Sequence, residues 1–157
     1  MKLVTTLQQG IDMKCLFLDI DGVLQGWPKQ EPFPKAVDAL NQWLQDHPDW
    51  VVVISSSWRL EHNLQGLIHL LGGIGVKHLD RIQGVTPVLY KLDGMPEARI
   101  KEIRAFLDQH AVTDFMVVDD QPIWIDHDGE RHHDREILER LVEVNPRRGL
   151  RPDDFDI

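Results

Sequence analysis

The sequence predicts an α/β protein with an open, mostly parallel sheet and helices on both faces. Three observations carry that expectation. Apolar runs and helix-spaced segments alternate along the chain as strand, helix, strand, helix, strand, helix, strand. The runs at 15–20, 50–54 and 115–118 are near-continuous rather than alternating, as in strands buried on both faces. Each run also closes on a pair of polar residues: Asp19 with Asp21, Ser55 with Ser56, and Asp119 with Asp120. Ligands of open parallel sheets bind beyond the carboxyl ends of the strands.

The elements follow in order. Residues 1–12 are a polar lead-in of uncertain order. Residues 15–20 form the first buried strand. Three prolines and a glycine make 25–34 a loop, whose Trp27 and Phe33 must pack somewhere, beside the strand ends. Ala36, Val37, Leu40, Trp43 and Leu44 share one face of a helix over 35–46, which His47-Pro48 ends. Residues 50–54 are the second strand. Leu60, Leu64, Leu67, Ile68 and Leu71 make a second helix, stopped by Gly72-Gly73. A brief strand is expected at 82–85 and a loop at 88–96. Ile100, Ile103, Phe106 and Leu107 define a third helix over 97–110. After the strand at 115–118 comes a polar stretch rich in Asp and His. Ile137, Leu138 and Leu141 suggest a short helix, 141–144 a last strand, and 146–157 an exposed tail or edge.

A chain of 157 residues, 42% hydrophobic and 27% charged, is expected to form a single domain with a real core. Its formal net charge of −9 disfavours tight nonspecific binding to nucleic acid or anionic membrane, although a local basic pocket is compatible with it. The single cysteine, Cys15, falls in a buried strand and cannot form an internal disulfide, which fits a reducing compartment. There is no signal-peptide pattern, and no apolar run approaches the ~20 residues of a membrane span. A cytoplasmic location is the expectation.

Phe17-Leu18-Asp19-Ile20-Asp21-Gly22-Val23-Leu24 is the richest stretch. If the chain stays extended past Asp19, both carboxylates leave the strand on one side. Two close carboxylates repel unless positive charge lies between them. An all-oxygen site of this kind favours Mg²⁺. Gly22 lets the backbone turn away.

These residues resemble the haloacid dehalogenase-like (HAD) superfamily of phosphotransfer enzymes. Asp19-Ile20-Asp21-Gly22-Val23-Leu24 matches its first motif, and Val51-Val52-Val53-Ile54-Ser55 its second. Arg99 stands for the third, a cation near a helix start, and Met116-Val117-Val118-Asp119-Asp120 matches the fourth. More narrowly, Ser55-Ser56-Ser57-Trp58-Arg59, Gly84-Val85-Thr86-Pro87, the helix from Arg99 to Leu107 and the Asn145-Pro146…Gly149-Leu150 segment resemble the small capless HAD domain of Swiss Army Knife RNA-repair proteins. The resemblance implies a Rossmann-like HAD fold and a Mg²⁺-dependent phosphatase. In that scheme Asp19 is the nucleophile and Asp21 the general acid and base. Ser55, the Ser56 amide and Arg99 bind the phosphoryl group. Mg²⁺ is held by Asp19, the Asp21 carbonyl and either Asp119 or Asp120. Arg59 is a rival cation, its blander role being a surface ion pair with Glu61 or Glu102.

Only about ten residues separate Leu24 from the helix at Lys35, too few for a cap domain. An open site accepts a phosphate on a nucleotide, a nucleic-acid end or a small phosphomonoester, and a partner protein or second copy of the chain can cover it. The loops carrying Trp27 and Trp124 would form what lid there is. The cluster Asp126-His127-Asp128 with His132-His133-Asp134 offers metal ligands, but its spacing matches no zinc pattern and reads as a solvated loop. Two other classes remain: a non-catalytic phospho-sensing or interaction module, and a phosphotransferase. A receiver domain would end its middle strand in a phosphoacceptor Asp, where this chain has Ser55.

Overall fold

The computed structural model describes residues 13–156; the expectations for 1–12 lie outside them. Among these residues, five strands form one sheet: β1 Met13–Leu18, β2 Trp50–Ile54, β3 Ile82–Val85, β4 Val112–Asp119 and β5 Leu141–Glu143. Their order is β3-β2-β1-β4-β5, and every pairing is parallel. The α-helices are α1 Pro34–Asp46, α2 Leu64–Gly73, α3 Arg99–Gln109 and the single turn α4 Arg135–Leu138.

Alternation along β1 sorts its side chains between two cores. Leu16 and Leu18 join α1 and α2 on one face, through Leu40, Leu44, Leu67 and Leu71. Cys15 and Phe17 join α3 and α4 on the other, through Ile103, Phe106 and Ile137. Phe17 meets Phe106 and Phe115 edge-on, with ring centroids 5.5 and 6.0 Å apart. Both faces are therefore covered, which is why the strands read as near-continuous apolar runs. Cys15 is fully buried and free, and burial pushes its thiol up to about 12.

The chain leaves β1 in one direction to build β2 and β3, then returns to place β4 on the other side. The reversal lies between β1 and β4, where the carboxyl ends of a parallel sheet leave a crevice. Register brings the ends level: Leu18 pairs with Ile54 on one side and Val118 on the other. Asp19, Ser55 and Asp119 are the next residues in each case. Among the described residues no cap domain interrupts this core, and no helix is long and apolar enough to cross a membrane.

Several expectations are corrected. β1 ends at Leu18 because Ile20 O accepts from the amides of Val23 and Leu24, turning the chain back. The second predicted helix is two elements, a 3₁₀ turn Ser57–Leu60 and then α2. The Asn63 side chain accepts from the Gly66 amide and caps α2, so Leu60 falls outside the apolar face. α2 runs through Gly72 and Gly73 and is ended by Gly75, at φ +108°. The last segment is not an exposed tail. Leu150 is fully buried, its amide donates to Val23 O, and Phe155 stacks on Trp43 at 5.1 Å.

The Asp- and His-rich segment is likewise more than a solvated loop. The Asp126 carboxylate is buried and accepts from the amides of Asp128 and Glu130, from Lys91 Nζ at 3.1 Å and from His132 Nε2 at 2.9 Å. Glu97 also lies close, but the Lys91 ammonium already supplies the cation there. The hydrogen bond with His132, the two amides and Lys91 hold the Asp126 carboxyl well below the usual carboxylate range. A carboxylate depressed in the folded state stabilises it above the unfolded pKa of about 4, and the gain is lost as pH falls further. Asp126→Asn should therefore lower Tm at pH 7, and its gap to the parent should narrow steadily below about pH 4 in thermal melts. A gap independent of pH would contradict the assignment.

Candidate active site

Asp19 leaves β1 between two strands and is almost fully buried. Its Oδ1 accepts from the Ile20 amide at 2.8 Å, which turns Oδ2 toward Arg99 Nη1, 3.2 Å away. The same Nη1 donates to Asp119 Oδ2 at 2.8 Å. Arg99 opens α3, whose start is tied to the loop after β4 by a bond from the Ile100 amide to Ile123 O. One guanidinium therefore bridges the ends of β1 and β4. Burial by itself lowers an arginine pKa, but the charges of Asp19 and Asp119 outweigh it and raise that of Arg99.

Asp120 completes the cluster. Carboxylate oxygens of Asp19, Asp119 and Asp120 lie within 4.8 Å of one another. Asp119 Oδ1 accepts from the Gln121 amide, whereas Asp120 Oδ1 is buried with no hydrogen-bond partner among the described residues. Burial and the Asp19 charge raise the Asp119 carboxyl well above its ordinary range. Burial, a hydrogen bond shared with Asp19 and the Asp19 charge push Asp120 up to about 7. Three carboxylates around one arginine leave negative charge uncompensated. The all-oxygen donor set and the orphaned Asp120 oxygen are compatible with a hard divalent cation such as Mg²⁺. Gly22, at φ +79°, leaves the room this needs, since a Cβ there would collide with the Asp120 carboxylate.

Asp21 stands apart from the three. Because the chain turns after Asp19, its carboxylate does not join the cluster. Oδ1 accepts from Gln25 Nε2 at 2.9 Å and Oδ2 from Trp58 Nε1 at 2.7 Å. Asp19, Asp21, Arg99 and Asp120 nonetheless line one cavity of about 740 Å³. Ser55 is buried behind that wall, and its hydroxyl has no partner among the described residues. Ser56 is the residue that caps the following turn, its Oγ accepting from the Trp58 amide. Ser57, rather than Ser55 or Ser56, is in the cavity wall.

Arg59 pairs with Glu102 as expected, but the pair is buried rather than on the surface. Its guanidinium pairs with Glu102 and donates to Ser56 O at 2.7 Å and Thr86 O at 3.1 Å. Both side chains are 5% exposed. Burial raises the Glu102 carboxyl, with Arg59 pulling the other way. Trp124 also departs from expectation: it packs against the second core and lines a separate cavity with His132 and Leu141. Trp27 does not pack. It is 67% exposed at the mouth of the main cavity. The sequence pattern does not encode the bonds from Trp58 and Gln25 to Asp21; Trp58, one turn beyond the serine strand end, is the available signal.

A family model described as the HAD domain in Swiss Army Knife RNA repair proteins matches residues 15–155. The chain belongs to that family. No curated protein and no protein of solved structure matches it. Membership of a HAD family implies a phosphohydrolase, and the Asp19, Asp119 and Asp120 cluster fits a HAD motif.

Arg59 is thus a strut that joins the Ser56 turn, the Thr86 strand end and α3. Arg59→Met should destabilise by about 3–5 kcal/mol in denaturant titrations, because it strands a buried Glu102. The double variant with Glu102→Leu should recover most of that loss. A variant of unchanged stability but weakened phosphate binding would instead make Arg59 a substrate-binding residue.

Proposed function

We propose that this protein is a Mg²⁺-dependent phosphomonoesterase working through an aspartyl-phosphate on Asp19. The observation that carries the proposal is the shared guanidinium: Arg99 bridges Asp19 and Asp119 where three strand ends meet. A lone carboxylate is a poor partner for an anionic phosphoryl group, and positive charge set in place beforehand removes that repulsion.

The chain's own residues divide the work as follows. The Ile20 amide pins one Asp19 oxygen and leaves the other to attack phosphorus. As the new P–O bond forms, the bond to the leaving oxygen breaks, and Asp21 gives that oxygen a proton. Asp21 then takes a proton from water. The water oxygen attacks phosphorus, the Asp19–phosphorus bond breaks, and phosphate leaves with Asp19 restored. Trp58 and Gln25 hold the Asp21 carboxylate in place between these two transfers. Arg99 is the cavity-wall group assigned to the phosphoryl oxygens; the Ser55 hydroxyl lies behind that wall. Asp19, Asp119, Asp120 and the Asp21 carbonyl would hold Mg²⁺, which supplies charge neutralisation between nucleophile and phosphoryl group. The substrate is a phosphomonoester; nucleotides, nucleic-acid ends and small phosphorylated metabolites all present that group.

The test is phosphate release from a panel of these monoesters with Mg²⁺ and with EDTA. Turnover should require the metal. Asp19→Asn should lower kcat by roughly 10⁴-fold or more, and Asp21→Asn by about 10²–10⁴-fold. Unimpaired turnover by Asp19→Asn would remove the covalent mechanism, and activity in EDTA would remove the metal.

A further inference from the structure

The cavity over Asp19 has an unusual wall. Its titratable side chains are the carboxylates of Asp19, Asp21, Glu61 and Asp120 against the single cation Arg99, which Asp19 and Asp119 already share. Among the described residues no further cation lines the cavity, so a second phosphate away from the Arg99 end would face carboxylates with no cationic side chain to pair with. The rest of the wall mixes the neutral polar side chains of Gln30, Ser57 and Gln121 with apolar ones, two of them open to solvent: Trp27 is 67% exposed and Leu60 57% exposed.

Trp27 is held out by design of its loop. Gly26 N donates to Glu31 O at 2.9 Å and Phe33 N to Leu24 O at 2.8 Å, closing the loop at its base. Gln25, buried beneath it, is bonded to Asp21. The Trp27 ring is therefore tied to the position of the general acid while its face stays bare. Trp58, the other aromatic in the wall, is already engaged, bonded to Asp21 and stacked on His62 with centroids 5.4 Å apart.

We propose that Trp27 is a stacking platform that selects substrates bearing one phosphate and one flat aromatic group, and that the carboxylate wall rejects substrates with a second phosphate. The idea rests on the phosphomonoesterase reading and narrows its substrate class to monophosphates of an aromatic group, of which a nucleoside monophosphate is the natural form. A continuous polynucleotide, with phosphates flanking the terminal one, fits this wall poorly.

Adenosine 5′-monophosphate and ribose 5-phosphate share sugar and phosphate and differ by the base, so the ratio of their kcat/KM values reads the platform directly. Stacking of a base on an aromatic side chain corresponds to roughly 5- to 150-fold. A ratio in that range, carried by KM, is expected. Trp27→Ala should collapse it toward one, and Trp27→Phe should retain part of it. Adenosine 3′,5′-bisphosphate should be the poorer substrate of the two adenosine compounds. Phenyl phosphate separates the two sources of a flat ring: if it matches the nucleotide and loses its advantage in Trp27→Ala, the platform takes a compact aryl group. The same two-ligand ratio, measured by calorimetric binding to the Asp19→Asn variant, keeps the two readings apart. Base-selective binding without turnover by the parent would uphold the platform and remove the hydrolase. Turnover with equal use of both compounds, or a Trp27→Ala variant that keeps the preference, would overturn the platform and leave the hydrolase standing.

Discussion

Three carboxylates share one guanidinium at the carboxyl edge of this sheet, and the rest of the site is arranged around that imbalance. Asp19, Asp119 and Asp120 are brought together by strand geometry, not by mutual attraction. Arg99 offsets part of the repulsion by bridging two of them. Burial first, and the Asp19 charge after it, raise the carboxyls of Asp119 and Asp120. Carboxylates crowded next to a buried oxygen without a partner among the described residues are compatible with a hard divalent cation.

The fold supplies this arrangement by two simple means. Level register places the residues after Leu18, Ile54 and Val118 side by side. The change of direction between β1 and β4 opens the crevice above them, and α3 starts where its first residue spans it. Struts around the cavity hold these pieces still. Arg59 and Glu102 fasten the Ser56 turn to α3, and Trp58 and Gln25 fix Asp21.

Legibility in the sequence followed the physics of each signal. Buried parallel strands announce themselves as near-continuous apolar runs, so β1, β2 and β4 and the polar residues that end them were readable, along with Arg99 at a helix start. Asp21 was placed only in part, because the two-residue period holds for extended chain and the backbone turns at Ile20. Asn63 and Gly75 moved the limits of α2, since a cap and a left-handed glycine depend on a conformation that periodicity does not encode. The pairings Arg59–Glu102, Trp58–Asp21 and Phe155–Trp43 join residues 37 to 112 positions apart, and a single sequence carries no record of such contacts.

The claim that the carboxylate cluster awaits a divalent cation is tested most directly by thermal melts of the parent and Asp120→Asn with and without Mg²⁺. A ligand bound only by the folded state stabilises it by RT ln(1 + L/Kd), where L is the free ligand concentration, and so raises Tm as L climbs above Kd. The account predicts that Mg²⁺ raises the parent's Tm. It also predicts that Asp120→Asn melts higher than the parent without metal, having lost one repelling carboxylate, and gains much less from adding it. A parent indifferent to Mg²⁺, together with a destabilised Asp120→Asn, would show that the three carboxylates are satisfied as they stand and would contradict the account.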